Sequence, residues 1–288
     1  MIDVNLNKYW HKQLHEQNSN WINRIKALHS ERGYQVVRIT GKSHVFSKRE
    51  LPNDEKELHY QLHVSFLIKK NQHFYREEQC RLHEAHFYKN QLRSDRELPE
   101  NFNQETDQRT NPIIEFVPRS QFERFSYDRN AAVRYAELWW NDANPAYEFF
   151  EVNDCTNYVS QCLRAGGAPM RGYPNRATGW WYQNRDWSFS WSVAHALRWY
   201  LGGSTKGLQA REVDSPDKLI PGDVICYDFE GNGRFDHTTI VVAKNADQMP
   251  LVNAHTNNSR HRYWDYRDSM AWTPECQYKF YRIGTDML

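Results

Sequence analysis

The sequence predicts an α+β protein built in two successive parts, and three observations carry that expectation. An apolar period of three to four residues at the start of the chain gives way to a period of two. The same order, helices and then strands, recurs in the second half. Residue usage also divides the chain: nine of eleven tryptophans lie beyond residue 138, and nine of thirteen histidines before residue 87. A chain of 288 residues has length for one large domain or two ordinary ones. The expected division is a small α+β domain over residues 1–110 and a second domain over residues 120–288.

Residues 5–31 read as one long helix, with Trp10, Leu14, Trp21, Ile22, Ile25 and Leu28 at mostly three- or four-residue steps and Gly33 as a stop. Val37 and Ile39 then suggest a short strand, and Val45 with Phe46 another. Leu62, Val64, Phe66 and Ile68 alternate with Gln61, His63, Ser65 and Leu67, the signature of a half-buried strand. Leu82 to Tyr88 reads as the next. A long helix followed by an antiparallel meander packs as helix on one sheet face. The histidines here (His59, His63, His73, His83 and His86) have the composition of a metal cluster. The outward phase of His63 on its strand favours a solvated face, so no metal is expected. Residues 90–118 are polar, carry Pro99 and Pro112, show no period and read as a linker.

Ser126 to Asn130 opens a helix whose apolar stripe is Ala132, Val133, Ala136, Trp139 and Trp140. Asp154 is a helix N-cap candidate, Val159, Cys162 and Leu163 continue at helical spacing, and Gly166-Gly167 supplies the stop. A loop rich in glycine and tryptophan covers 172–190, and Ser192 to Leu201 makes a further helix ended by Gly202-Gly203. After Pro221-Gly222 the period is that of strands: Asp223 to Tyr227, Thr238 to Ala243, Leu251 to His255 and Tyr278 to Ile283.

Composition excludes several classes. With 37 basic and 36 acidic side chains there is no excess of positive charge to neutralise phosphates, so nucleic acid is not an expected partner. No run of about 18 apolar residues offers a membrane span. The N-terminus lacks the basic-then-apolar pattern of a secretory leader, which points to a cytoplasmic protein, or a cell-wall-associated one if a leader has been removed. The five cysteines are scattered, with no Cys-x-x-Cys pair and no disulfide framework, and are expected to be reduced.

The candidate chemistry starts at Cys155. It follows Asp154 at a helix start, where the positive end of the helix dipole favours the thiolate, the nucleophilic form. The alternative is a small apolar residue facing the core. A nucleophilic cysteine needs a general base, and that base needs an orienting group. The second domain offers His195, His237, His255 and His261. His237 is the best placed, at the head of a strand after the turn-rich Asp228 to Asp236. That segment has the look of a calcium loop but lacks the ligand spacing and terminal glutamate of an EF-hand, so it is expected to be a turn presenting His237. Asn253 and His255, two residues apart on the next strand, share a face, and either could reach the His237 ring across a hairpin. Trp180, Trp181, Trp187 and Trp191 form either a stacking wall or core. One of the adjacent Trp180 and Trp181 is expected to line the substrate groove, since a loop cannot easily hide both.

The order Asp-Cys-Thr-Asn-Tyr-Val-Ser-Gln, then Pro-Gly-Asp-Val-Ile, then Asp-x-x-Gly-x-Gly-x-x-Asp-His, then a hydrophobic strand ending Ala-His-Thr resembles the bacterial putative amidase domain. That domain is similar to the CHAP and NlpC-type cysteine amidohydrolases. Tyr127 to Ala136 matches the family's opening helix, and the resemblance covers about residues 122–285. It implies a papain-like core of N-terminal helices and antiparallel sheet, and does not extend to the small helix-plus-meander domain before it, which is read from periodicity. It implies a cysteine-dependent amidase or peptidase acting on bacterial cell-wall peptide or muramyl amide bonds through a thioester, with no cofactor. Cys155 is then the nucleophile, His237 its base and Asn253 the orienting residue. His255 either shares that task or is a strand residue bonded to a backbone carbonyl. The backbone N–H of Cys155 would help to hold the oxyanion. The alternative is a catalytically inactive binding module whose N-terminal domain docks a protein partner.

Overall fold

The computed structural model describes residues 2–15, 20–99 and 125–284. Most of the expected linker therefore lies outside the described residues. The chain divides into two compact units: residues 1–100 with 257–262 and 266–270, and residues 101–256 with 263–265 and 271–288.

Two helices open the first unit, α1 (Ile2–His15) and α2 (Asn20–Glu31), with the intervening part of the expected long helix outside the described residues. Four antiparallel strands follow and pair in sequence order: β1 (Gln35–Leu51), β2 (Glu55–Lys70), β3 (His73–Tyr88) and β4 (Gln91–Glu97). The period-two pattern of β2 is realised in full, with Leu58, Tyr60, Leu62, Val64, Phe66 and Ile68 all buried. From the helices, Trp10, Leu14, Ile22, Ile25 and Leu28 are buried as well. A polar chain runs through this core: Trp10 Nε1 donates to Tyr60 Oη (2.8 Å), which donates to Asp95 (2.5 Å), whose other oxygen faces His83 Nδ1 at 3.0 Å.

The two short strands expected around Ile39 and Val45 are one strand of 17 residues. Its register against β2 skips at Val37 and at Phe46, two bulges whose side chains are 40% and 56% exposed. Each extra residue reverses the inside–outside phase, which cuts one strand's alternation into fragments that read as separate.

The second unit contains α3 (Arg129–Trp139), α4 (Cys155–Ala165), the small hairpin of β5 (Tyr182–Gln183) and β6 (Asp186–Trp187), α5 (Phe189–Ser192) and α6 (Ala194–Gly203). Strands β7 (Ala210–Val213), β8 (Val224–Asp228), β9 (His237–Lys244) and β10 (Pro250–Ala254) follow. Next comes β11 (Ser259–Tyr263), whose Ser259 and Arg260 pair with Gln79 and Glu78 inside the first unit. Strand β12 (Gln277–Ile283) completes the second unit's strand order, β10-β9-β8-β12-β7.

Antiparallel strands dominate both units: ten of them make extended ladders, and helices are few. This is not a clear papain-like α+β core, and that expectation is corrected by the architecture. Among the described residues no helix is long and apolar enough to cross a membrane.

Helix α4 is the centre of the second unit. Cys155 to Leu163 are all buried, as expected of a helix enclosed on every side rather than amphipathic. Its polar residues are therefore bonded inside: Asn157 Nδ2 donates to Glu148 O (2.7 Å), Tyr135 donates to Gln161 (2.6 Å), and Ser160 Oγ donates to Trp191 O (2.8 Å). Asp128 caps α3 by accepting from Ala131 N at 2.9 Å. Arg129 then reaches Asp223, a fully buried carboxylate that also accepts from the Ile220 and Ile283 backbone.

Gly166, at the end of α4, is fixed by close approach. A Cβ there would run into the Tyr127 ring, whose hydroxyl is held by Gly222 O at 2.8 Å and cannot retreat without breaking that bond. Gly166→Ala is expected to lower the unfolding free energy by about 1–3 kcal/mol, the cost of overpacking, measured by urea denaturation. An unchanged midpoint would show that the ring has room to move.

Candidate active site

Cys155 is the first residue of α4 and its side chain is fully buried. Thr156, the next residue of α4, and Thr238 of β9 lie beside the sulfur. Thr156 Oγ1 lies 3.7 Å from Sγ and 3.0 Å from Thr238 Oγ1. Burial pushes the Cys155 thiol up, and the Thr238 peptide and the Thr156 hydroxyl work against that rise. Desolvation is the largest effect, so enclosure opposes the thiolate that the helix start alone would favour. All five cysteines are free; Cys162, also on α4, is fully buried in the core.

Asp154 does not cap α4 with its side chain. Its Oδ1 accepts from Phe150 N (3.1 Å) and Asn157 Nδ2 (2.8 Å), and its Oδ2 faces His255 Nδ1 at 2.6 Å. His255 Nε2 lies 2.7 Å from Trp139 O, and the ring stacks on Tyr158 with centroids 4.1 Å apart. Each ring nitrogen thus faces an acceptor. Asn253, opposite Ile240 on β9, donates to Glu137 Oε1 at 3.0 Å and to Ala136 O at 3.5 Å, both on α3. These bonds of Asn253 and His255 run to α3 and to Asp154, the residue before α4.

His237 heads β9 directly opposite Tyr227, so the two side chains share a sheet face. Its ring lies 5.6 Å from the Tyr227 ring and 6.0 Å from that of Phe229. Alternation turns the next residue, Thr238, to the other face, towards Thr156 and α4. Thr238, immediately beside His237, thus reaches the sulfur's neighbour Thr156 through its hydroxyl. The turn before it is built on Asp228, whose carboxylate accepts from the N–H groups of Gly231 (2.9 Å), Asn232 (3.2 Å) and Gly233 (2.7 Å).

Trp180 and Trp181 are 0% and 1% exposed, so neither offers a face to a substrate in this structure. The expectation of a groove-lining tryptophan is corrected. A loop hides two adjacent indoles because each N–H finds a partner: Trp180 donates to Ser160 Oγ, and Trp181 to the carbonyls of Asn175 and Thr178. Sequence reasoning missed Thr156, Thr238 and the pairing of Asp154 with His255. Adjacency was the available signal, since Thr238 follows the histidine and Asp154 precedes the cysteine.

Two measurements test this geometry. Asp154→Ala leaves His255 and the Asn157 amide without their carboxylate, and is expected to destabilise the protein by about 3–5 kcal/mol in urea denaturation, the scale for breaking a buried ion pair. A loss below about 1 kcal/mol would remove the anchoring role from Asp154. Beside His237, burial raises the Asp236 carboxyl to about 6, against a hydrogen bond from Phe229 N–H and with Asp228 and Glu230 adding to the rise. The folded state then holds this proton more tightly than the unfolded chain, whose aspartates titrate near about 4. Stability is accordingly fullest below about pH 4 and falls as pH rises through about 6. Asp236→Asn is expected to flatten that part of the Tm-against-pH curve and to raise Tm at pH 7.5; a curve parallel to wild type would overturn the assignment.

A family model described as "Putative amidase domain" matches residues 126–281, the span that holds α3, α4, β8, β9 and β10. The chain is 46% identical over 272 residues to "Uncharacterized protein YhbB" of Bacillus subtilis (strain 168), covering 91% of this chain and 86% of that protein. It is 32% identical over 141 residues to "Uncharacterized protein YjcM" of the same organism, covering 46% of this chain and 31% of that one. No solved structure matches the chain. These matches do not show a likeness to CHAP or NlpC-type enzymes; what they do show is that the chain belongs to the putative amidase domain family.

Proposed function

We propose that the chain is a cysteine-dependent amide hydrolase, an amidase or peptidase, acting on bacterial cell-wall peptide or muramyl amide bonds through a thioester. The observation that carries this reading is the setting of the Cys155 sulfur, at the first turn of α4 with the Thr156 hydroxyl 3.7 Å away and the Thr238 peptide favouring charge on it. Such neighbours favour negative charge on sulfur once substrate displaces the enclosure. The thiolate attacks the amide carbon, forming a C–S bond and an oxyanion that accepts from the Cys155 N–H. Collapse breaks the C–N bond and the amine leaves with a proton. Water then attacks the thioester, releasing a carboxylic acid and restoring the thiol.

His237 is the proposed proton carrier. His255 is less suited, because both of its ring nitrogens already face acceptors, Asp154 and the Trp139 carbonyl. Its proposed task, with Asn253, is to hold α3 and β10 against α4. In this structure strand alternation puts the His237 ring on the face shared with Tyr227 while Thr238 faces α4, so the proton transfer proposed for it requires the head of β9 to turn towards the sulfur in the substrate complex.

A second reading, a non-catalytic binding domain, draws on the complete burial of Cys155 and its raised thiol. Defined cell-wall fragments incubated with the protein, and the products weighed by mass spectrometry, separate the two. Cleavage is expected with wild type and none with Cys155→Ala, while His237→Ala lowers kcat by about 10²–10⁴-fold. Fragments bound but left intact by the folded wild type would favour the binding domain. Products carrying an added amine in place of water would show acyl transfer at the same site.

A further inference from the structure

In the first unit, β2 and β3 bring four metal-ligating side chains to one sheet face. The register sets Glu57 opposite His86 and His59 opposite Glu84, and the two-residue spacing along each strand keeps both pairs on that face. The four close a ring. His59 Nε2 lies 3.2 Å from Glu84 Oε2 and 3.6 Å from Glu57 Oε1; His86 Nε2 lies 3.0 Å from Glu84 Oε1 and 3.9 Å from Glu57 Oε2. The ligand atoms of Glu57, His59 and Glu84 all fall within 4.8 Å of one another.

These spacings fit a small ion. Zinc bound at about 2.0–2.1 Å by nitrogen and oxygen in a tetrahedron has ligand–ligand edges of roughly 3.3–3.4 Å; one atom each of Glu57, His59 and Glu84 already clusters within 4.8 Å, and His86 approaches the other oxygens of the same two carboxylates, whose rotation would bring it in as the fourth ligand. A face held by ordinary ion pairs needs one carboxylate per imidazole, whereas here each Nε2 sits between two. Two carboxylates balance a divalent charge, and two imidazoles select a transition metal over calcium or magnesium, which take oxygen ligands. The imidazoles are reachable, with 35% and 41% of the His59 and His86 side chains exposed. Arg96 lies 2.8 Å from Glu84 Oε1, but its side chain is 69% exposed and free to swing into solvent when an ion enters.

We propose that Glu57, His59, Glu84 and His86 form a binding site for one divalent transition-metal ion of the zinc or nickel class. Its test is calorimetric titration of the full chain with zinc chloride at pH 7.5, with elemental analysis after dialysis. One ion per chain is expected, with affinity reduced at least about tenfold in His59→Ala and in His86→Ala, one lost ligand costing on the order of 1.4 kcal/mol or more. Cys155→Ala is expected to bind as wild type, which separates this site from zinc captured by a thiol. On the unaltered chain, zinc is expected to protect His59 and His86 from diethyl pyrocarbonate, read by peptide mass spectrometry. Absence of zinc binding, binding unchanged in the His59→Ala/His86→Ala double variant, or equal modification of both histidines with and without zinc would overturn the proposal.

Discussion

The second unit's candidate site hangs on one buried carboxylate. Asp154 accepts from the Phe150 backbone, from the Asn157 side chain and from His255, while its own N–H donates to Thr256 Oγ1 at 3.1 Å. It thereby joins the loop before α4, the first turn of α4 and the chain leaving β10. A carboxylate taken out of water is tolerated only when several donors replace its hydration. Those donors come from segments about a hundred residues apart, so the start of α4 is specified by tertiary structure and not by local capping. The position of the Cys155 sulfur follows from that, as does its meeting with Thr238.

Burial gives the same site two opposing tendencies. A helix start and the Thr238 peptide favour charge on sulfur, while enclosure disfavours it. The proposed cysteine mechanism requires the second tendency to be relieved, and substrate binding would be the natural occasion. A thiol kept protonated until then is also kept from oxidation, which tracks thiolate character and exposure.

Much of this was legible in the sequence where pattern and structure share a period. The alternation of Leu62 to Ile68 gave a true strand, and Asp128 did cap α3. The Cys155 helix start and the His237 strand head were both found at their sequence positions. What escaped depends on contacts between distant segments. The bulges at Val37 and Phe46 hid the length of β1, because a reversed phase looks like an interruption. The bonds of Asn253 and His255 to Glu137 and Asp154 could not be read, because i, i+2 spacing fixes a common face but not which face, and that face is the one packed on α3 and the start of α4. The burial of Trp180 and Trp181 was unreadable because the acceptors for their N–H groups, among them Ser160, come from elsewhere in the fold. A family resemblance placed the amidase domain correctly but overreached in architecture, where antiparallel strands prevail.

The bulges of β1 bear on more than register. Among the described residues this strand ends the strand order, with no sheet partner on one side of its 17-residue backbone. A flat edge of that length is a template for pairing with another chain, and with it for aggregation. Bulges at Val37 and Phe46 twist the edge out of the flat form that a second strand needs, and Arg38, Lys42, Lys48 and Arg49 line it with positive charge. Two residues that look misplaced, apolar and facing water, thus mark the points where a long hairpin is kept from joining its neighbours in solution.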